Sequence, residues 1–549
     1  MPTTRSPAGD AAAEFAALEK RIVDHFFVLQ PAYAVFLGLH RYDGKVPDLS
    51  KGATAEWVTL ARGLLKQLEG THRESLPKGR RLDWTLLDLL LEGAIFDLAE
   101  SRDYDRNPMA FIGQVSVTSY MVREYAPAAD RVRAIVRVLE GVPRLMEQGL
   151  SRFDPHVPKP FLQLTEAMAS GIPGHLAEAE DFARKSAPEL AEELAGARTR
   201  AAQAVEAFMG KIRSHFLPAA TPEFALGPEK FQRLLWVREG IREPAEEILA
   251  QGVEDLRRNQ ARLRELAGGW KKGGEVKGLL EELLRDHPTA DQLLPKARAF
   301  VDEARAFVVD RHLATIPTPD HCRVEETPSY GRALSTASMN PPGPFEGGGD
   351  EGIYYVTPVD ATWTAQQAEE WLRSFNDALL RNVTIHEVYP GHYLQFLHFR
   401  KTAGSLASKV FMSGSFTEGW AHYAEQLAVE NGLDHGSVHA EVAQIHDALL
   451  RDVRLIASIG LHTQGKDLEW ATRLFESEAY FERLPSEREA IRGTFNPEYF
   501  CYTLGKLAIL EARRQHLAGR FGGSLQRFHD TLLGFGCPPV GMLGELLSS

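Results

Sequence analysis

The sequence is poor in cysteine and has no long apolar run. Only three cysteines occur in 549 residues, Cys322, Cys501 and Cys537, and none forms a CxxC pair. This argues against a disulfide framework and a thiolate zinc finger, and it fits a reducing compartment. No segment offers ~18 consecutive apolar residues, the length of a membrane-spanning helix. The N-terminus turns acidic before any apolar run of signal-peptide length. We therefore expect a cytoplasmic protein.

Basic residues are also fewer than acidic residues. Lys and Arg number 62 against 75 Asp and Glu, which gives a net charge of -13. This balance argues against nucleic acid or an anionic membrane as a partner, and it leaves small neutral or basic ligands open. Apolar residues make up 44% and charged residues 25%, which is typical of a folded globular chain.

The spacing of apolar residues predicts a mainly α-helical fold. They recur at three and four positions in segments such as 82–100 and 131–150. A stretch rich in Pro and Gly at 216–231 interrupts this pattern. We predict an N-terminal helical region, 1–220, and a C-terminal region, 221–549, that together form one integrated domain.

A small β-sheet is predicted in the second region. The segments 322–330 and 352–358 are rich in β-branched or aromatic residues and contain Pro near their ends, as strands do. Between them, ASMNPPGPFEGGGDEG (337–352) is dense in Gly and Pro, which predicts an irregular surface loop. Such a loop forms either a cleft wall or an insertion without a role.

The segment HEVYPGH (386–392) has the residue types of a zinc site at an unusual spacing. A helix is predicted from about Thr364 to beyond His386. On a regular helix His392, at i+6, lies ~240° from His386, so the two cannot share a metal. Pro removes a backbone donor and Gly tolerates unusual dihedral angles. We therefore predict that Pro390 and Gly391 distort the helix and turn His392 towards His386.

A second segment, GSFTEGWAHYAEQLAVE (414–430), supplies further candidate ligands. Glu418, His422 and Glu425 fall at i, i+4 and i+7, hence on one helical face. Two His and one Glu form a standard catalytic zinc set. Glu418 and His422 also fit a hydrogen-bonded surface pair. His422, Glu425 and Gln395 are candidates for supporting a ligand from behind, since metal-bound imidazoles donate their other N–H to an acceptor.

IHEVYPGHYLQ followed by FTEGWAHYAEQL resembles the bacterial family called domain of unknown function 885, which is related to the gluzincin zinc peptidases. The similarity extends to LGLHRYDGKVPDLS (37–50) and YTLGKLAIL (502–510). It implies a large helical metallopeptidase-like fold with a small β-sheet beside the active-site cleft, and one Zn²⁺ per chain. Carried over by motif, His386, His392 and Glu418 are the ligands and Glu387 is the general base. The sequence departs from many relatives at Ser458, where they have Asp.

The reaction this resemblance implies is hydrolysis of a short peptide by zinc-activated water. A donor to the developing oxyanion is expected from His462, Tyr502 or Lys506. Tyr502 is preferred because related gluzincins use a phenol or imidazole there. For substrate binding the candidates are Arg492, Lys506 and Tyr355.

Several alternatives remain at this point. Arg492 pairs with a substrate carboxylate or forms a structural salt bridge. The predicted strands hold an extended peptide by adding it as a further strand. A zinc amidase or esterase would share the same metal chemistry, and a non-catalytic helical scaffold would bind no metal. Oligomeric state is left open.

Overall fold

The computed structural model describes residues 7–270, 274–328, 332 and 335–548, and these form a mainly helical structure with one small sheet, as predicted. The chain divides into two compact units. The first contains the described residues of Met1–Phe224 with Gly343–Gly348 and Gly404–Phe411. The second contains those of Ala225–Pro342, Gly349–Ala403 and Met412–Ser549. That the N-terminal and C-terminal regions form one integrated domain stays a prediction.

Ten α-helices lie among the described residues of the first stretch of the chain. They are α1 (Pro7–Leu29), α2 (Pro31–Phe36), α3 (Lys51–Glu69), α4 (Lys78–Ile95), α5 (Asp103–Arg106), α6 (Met109–Ile112), α7 (Thr118–Val122), α8 (Ala128–Arg152), α9 (Lys159–Ser186) and α10 (Ala191–Lys211). The helix predicted at 131–150 lies within α8, and its periodic apolar residues, among them Ile135 and Leu139, are fully buried. The apolar periodicity therefore identified this core-facing helix correctly.

The remaining helices are, in chain order, α11 (Pro228–Glu239), α12 (Ala245–Trp270), α13 (Val276–Leu283), α14 (Leu293–Asp310), α15 (Ala365–Arg373), α16 (Asp377–Glu387), α17 (His392–Thr402), α18 (Leu406–Val410), α19 (Gly414–Glu430), α20 (Val438–Thr463), α21 (Leu468–Ala479), α22 (Arg483–Phe495), α23 (Cys501–His516), α24 (Leu525–Leu533) and α25 (Leu543–Ser548). All except α18 belong to the second unit. None of the helices in the described ranges is long and apolar enough to cross a membrane.

The sheet of the second unit has three strands, β1 (Arg323–Glu326), β2 (Ala337–Asn340) and β3 (Ile353–Val356). Strand β3 is central, pairing in parallel with β1 and antiparallel with β2. The prediction that a substrate strand adds to either predicted strand is therefore wrong for β3, because both of its edges are occupied. Only β1 and β2 have an outer edge.

Two of these strands lie where the sequence predicted them, and β2 does not. The irregular loop predicted at 337–352 begins instead with four paired residues. The Pro and Gly residues start only at Pro341, so nothing in Ala337–Asn340 prevents pairing with β3. The end of the first predicted strand, residues 329 and 330, lies outside the described residues.

Helices α19 and α23 pack unusually closely. A Cβ atom at Gly505 of α23 would lie 1.7 Å from the carbonyl oxygen of Ser415, and one at Gly419 would lie 2.4 Å from the carbonyl carbon of Gly505. Only glycine permits this approach of two backbones. The contact places Glu418 of α19 beside the first turn of α23, which carries Tyr502.

Candidate metal centre

The HEVYPGH segment is a break between two helices. Helix α16 ends at Glu387, and Val388 leaves the helical region with φ −116° and ψ −82°. A cis Tyr389–Pro390 bond and Gly391 follow, and α17 then begins at His392. The sequence predicted a distorted helix here, whereas the structure ends one helix and starts another.

Gly391 makes this path possible. Its amide donates to the carbonyl of Ile385 (3.0 Å). A Cβ atom at this position would lie only 1.8 Å from the carbonyl oxygen of His386. The loop is also held from α19, because the indole of buried Trp420 donates to the carbonyl oxygen of Pro390 (2.8 Å). Two helices thus meet with their histidine-bearing ends together.

The single helix predicted from Thr364 is wrong in one further respect. Thr364 does cap a helix, but that helix, α15, ends at Arg373. The Asn376 side chain then accepts from the amide of Leu379 (3.1 Å) and starts α16 anew. An N-cap side chain inside an apolar helical pattern is the signal that marks this break.

Three candidate ligands converge at the break. The ring centroids of His386 and His392 are 4.8 Å apart and their planes are nearly perpendicular, at 87°. Glu418 Oε2 lies 3.6 Å from His386 Nε2 and 3.5 Å from His392 Nε2. Across the described ranges, this is the one group of three His, Cys, Asp or Glu residues whose ligand atoms all lie within 4.8 Å of one another.

Each imidazole presents Nε2 to this point and is supported through Nδ1. His386 Nδ1 lies 2.6 Å from Glu425 Oε1, and His392 Nδ1 lies 3.5 Å from Gln395 Oε1. Both acceptors are buried. A carboxylate only accepts, so His386 carries its proton on Nδ1, which leaves Nε2 available as a ligand once it is unprotonated. The structure thus brings Glu425 and Gln395 to the positions suggested by the sequence.

The electrostatics of the group favour a cation between these side chains. Burial by itself raises the pKa of Glu418, but contacts with His386 and His392 hold that pKa well below its usual range. Burial lowers the pKa of His386, but contacts with Glu418 and Glu425 outweigh it and raise the pKa to about 9. In the absence of a metal, a proton on the imidazole balances the carboxylates.

Sequence reasoning missed the residues that support Glu425. Arg451 Nη1 donates to Glu425 Oε2 (2.9 Å), and Arg451 Nη2 lies 3.3 Å from His386 Nδ1. Asn382 donates to the same oxygen (3.2 Å) and to Asp447 (2.7 Å). The available signal was ALLRDVRLIASIG (448–460), an apolar helix interrupted by charges, because a charge on a buried face requires a partner.

Glu387 and Tyr502 lie beside the three candidate ligands. Glu387 is half-buried, and no hydrogen bond or ion pair to it occurs within the described part of the chain. Burial raises the pKa of Tyr354, and the charge of Glu387 adds to that shift, so the carboxylate lies on the β3 side. Burial likewise raises the pKa of Tyr502, and the charge of Glu418 is its next cause. An unpaired carboxylate and a phenol therefore flank the centre.

The geometry can be set beside known proteins. The family described as "Bacterial protein of unknown function (DUF885)" matches residues 31–547. The chain belongs to this family. No curated protein matches it.

Two solved structures share the fold of this DUF885 chain. One is a protein from Shewanella oneidensis, provisionally described as a lipoprotein of unknown function. It has 22% identity and a TM-score of 0.80, and the match covers 97% of this chain and 100% of that one. The other, from Colwellia psychrerythraea and also provisionally described as a lipoprotein, has 17% identity and a TM-score of 0.80, with 98% of each chain covered. At these identities the likeness concerns the fold alone.

Three predicted site residues of the DUF885 chain do not join the centre. Lys506 Nζ lies 2.6 Å from Asp255 Oδ2, and both side chains are almost fully buried, so this ammonium is already paired. His462 Nε2 lies 2.9 Å from the carbonyl oxygen of Gly493, and its Nδ1 accepts from the amide of Leu226 (3.3 Å). The roles predicted for Lys506 and His462 at the reacting centre are therefore corrected to structural ones.

The side chain of Tyr355, predicted to bind substrate, also does not face the centre. Its neighbour Tyr354 directs its hydroxyl to Thr384 of α16 (3.4 Å). Because successive strand residues face opposite sides, Tyr355 points away from α16 and the histidine it carries. The sheet therefore contributes Tyr354, and not Tyr355, to the side that faces the centre.

His422 and Ser458 are structural in their contacts. His422 is fully buried, its Nδ1 lies 3.5 Å from Glu425 Oε2, and burial lowers its pKa to about 3. It is therefore neutral and packs behind Glu425, as one reading of the sequence suggested. The Ser458 hydroxyl donates to the carbonyl oxygen of Pro497 (2.7 Å).

Proposed function

We propose that this DUF885 chain is a zinc-dependent metallopeptidase of the gluzincin type that cleaves short peptides. The observation that carries the proposal is the convergence of His386 Nε2, His392 Nε2 and a Glu418 oxygen from three helix ends or faces. Zinc in catalytic sites takes three such protein ligands and keeps a fourth position for water. We propose a small peptide as the binding partner, and neither nucleic acid nor a membrane. The cytoplasmic location stays a prediction.

The residues present fit a zinc ion in their chemistry. Two imidazoles and one carboxylate are a standard donor set, and all three come from buried or half-buried positions. Both imidazoles have the supporting acceptor on Nδ1 that metal-bound histidines usually have. The negative charge of Glu418, which among the described residues has only the two imidazoles beside it, favours a cation at this point.

Zinc bound here would supply a Lewis acid and an activated water. Glu387 follows His386 directly and has no partner among the described residues, so its carboxylate is available to take a proton from water and return it to the leaving amine. The Tyr502 phenol stays protonated, because burial and the nearby Glu418 charge raise its pKa. It is thus able to donate a hydrogen bond to the developing oxyanion.

The test combines metal content with peptide cleavage. We expect one zinc per chain in the wild type and loss of stoichiometric zinc in His392→Ala. His439→Ala removes a half-buried histidine of α20 outside the centre and should keep the zinc. A mixed peptide library should be cleaved by the wild type, and Glu387→Gln should reduce the rate at least ~100-fold while zinc is retained.

Each alternative has its own outcome in this test. Stoichiometric zinc with cleavage of amides or esters, but of no peptide, would identify the zinc amidase or esterase. A folded wild type that binds no zinc would support the non-catalytic scaffold and refute the proposal.

A further inference from the structure

Three arginines, Arg451 and Arg454 of α20 and Arg492 of α22, lie near the rings of Tyr499 and Tyr502. Arg454 holds Glu489 in a bidentate pair, with both N–O distances 2.9 Å. The Tyr499 hydroxyl donates to the same carboxylate. Glu489 therefore neutralises Arg454, and both of its oxygens already accept hydrogen bonds.

Arg451 is likewise neutralised, since Glu425 accepts from it at 2.9 Å. Arg492 differs from both. It is half-buried on α22, and among the described residues no carboxylate lies within ion-pair distance of it. The structural salt bridge that the sequence left open for Arg492 is thus not formed within the described part of the chain.

Contacts place Arg492 beside Tyr499, three residues before Tyr502 in the chain. Its guanidinium carbon lies 5.3 Å from the ring centroid of Tyr499, which is fully buried. Arg454 lies 5.0 Å from the same ring and 5.2 Å from the ring of Tyr502. The charges of Arg492 and Glu418 both act on the Tyr502 phenol. The guanidinium of Arg454 already makes a cation–π contact with the Tyr499 ring. A second such contact is therefore not needed to stabilise that ring, and it does not by itself account for Arg492.

We propose that Arg492 binds the free C-terminal carboxylate of a peptide and so makes the chain selective for cleavage near a C-terminus. This inference rests on the proposed function. A guanidinium presents a rigid fork of donors that matches a carboxylate, and partial burial beside aromatic rings strengthens the pair. A peptide anchored at Arg492 would extend past Tyr502 towards Glu418, so its reacting bond would lie close to the anchored end.

The experiment measures binding and cleavage of one matched pair of ligands, trialanine with a free carboxylate and trialanine amide. Binding is measured by calorimetry on zinc-loaded Glu387→Gln protein, in which turnover is suppressed. We expect the free acid to bind about 10-fold to 100-fold more tightly than the amide. Adding Arg492→Gln should bring the two affinities together, and Arg492→Lys should retain part of the preference, because it keeps charge without the fork.

The control is Arg488→Gln, which removes the same charge from an exposed position on α22 and should leave the preference unchanged. The acid-to-amide ratio is read within each variant, so a partly unfolded sample does not alter it. Equal binding of acid and amide, binding of neither, or a preference that survives in Arg492→Gln would overturn the inference. A preference in binding by a chain whose wild type cleaves no member of the mixed peptide library would refute the peptidase proposal and leave the carboxylate site standing.

Discussion

At the scale of single residues, the centre depends on how Glu425 is shared. One carboxylate oxygen lies against His386 Nδ1, and the other accepts from Arg451 and Asn382. Burial raises the pKa of Glu425, but Arg451 and His386 outweigh that effect and hold the pKa well below its usual range. The buried carboxylate thus stays ionised and fixes the ring of a candidate ligand.

Replacing Arg451 should therefore weaken metal binding without touching a ligand. In Arg451→Met, Glu425 loses its Arg partner and keeps His386 and Asn382, so its buried charge is less well compensated. We expect zinc affinity to fall about 10-fold to 100-fold, as when other supporting groups of metal ligands are removed. Competition with a chelator measures this, and circular dichroism checks the fold.

Arg451→Lys keeps the charge and should lie between wild type and Arg451→Met, while Arg473→Gln, at an exposed site on α21, should match the wild type. Unchanged zinc affinity in a folded Arg451→Met protein would show that Glu425 does not need this partner.

The family resemblance named the three candidate ligands, helical periodicity placed Glu418 and Glu425 on one face, and Pro390-Gly391 predicted a distortion between the two histidines. The sequence did not place Lys506 or His462. Their partners, Asp255 and the backbone at Leu226 and Gly493, are distant in the chain, so only tertiary structure shows that they are already bonded.

At the scale of elements, the junction between α16 and α17 sets the position of both histidines. The amide of Leu394 donates to the carbonyl of Val388 (3.2 Å), and that of Gln395 donates to the carbonyl of Gly391 (3.0 Å). These bonds start α17 directly after the loop. The direction of the second histidine is thus fixed by backbone contacts that leave no room for a side chain at Gly391.

Gly391→Ala should disrupt this junction. The added methyl carbon would lie 1.8 Å from the carbonyl oxygen of His386, so the backbone must move. We expect a loss of stability on the order of 3 kcal/mol, together with loss of zinc binding, measured by chemical denaturation and metal content.

Gly268→Ala is the matched control, because nothing lies within 4 Å of a Cβ atom at that helical position. It should change stability by less than about 1 kcal/mol, in the stabilising direction. Wild-type stability and zinc content in Gly391→Ala would contradict the account of the junction.

Element boundaries were only partly predictable. Helix α19 extends over Gly414–Glu430, the segment chosen from the sequence. By contrast, the four residues of β2 carry no strand pattern of their own and pair because β3 lies beside them.

At the scale of the whole molecule, buried acid groups should make stability depend on pH. Glu239 is fully buried, accepts from the amide of Ser415 (2.9 Å) and from the Ser413 hydroxyl, and so holds the start of α19. Burial raises its pKa from 4.5 to about 7. A carboxyl group that binds its proton more tightly in the folded chain loses stability as pH rises from 4.5 to 7.

Glu239→Gln should remove this pH dependence, since the amide stays neutral and keeps an acceptor for Ser415. Relative to the variant, we expect the wild type to lose on the order of 3 kcal/mol between pH 4.5 and pH 8. Free energies of unfolding by urea at the two pH values measure the difference. Parallel pH profiles for the two proteins would contradict the assignment.

For the whole molecule, our main prediction is that the fold holds one zinc ion between α16, α17 and α19. X-ray diffraction from zinc-loaded crystals, recorded on both sides of the zinc absorption edge, tests it most directly. We expect one anomalous peak per chain, about 2.0–2.2 Å from His386 Nε2, His392 Nε2 and an oxygen of Glu418. A fully ordered chain with no peak at these three atoms, or with its peak elsewhere, would contradict it.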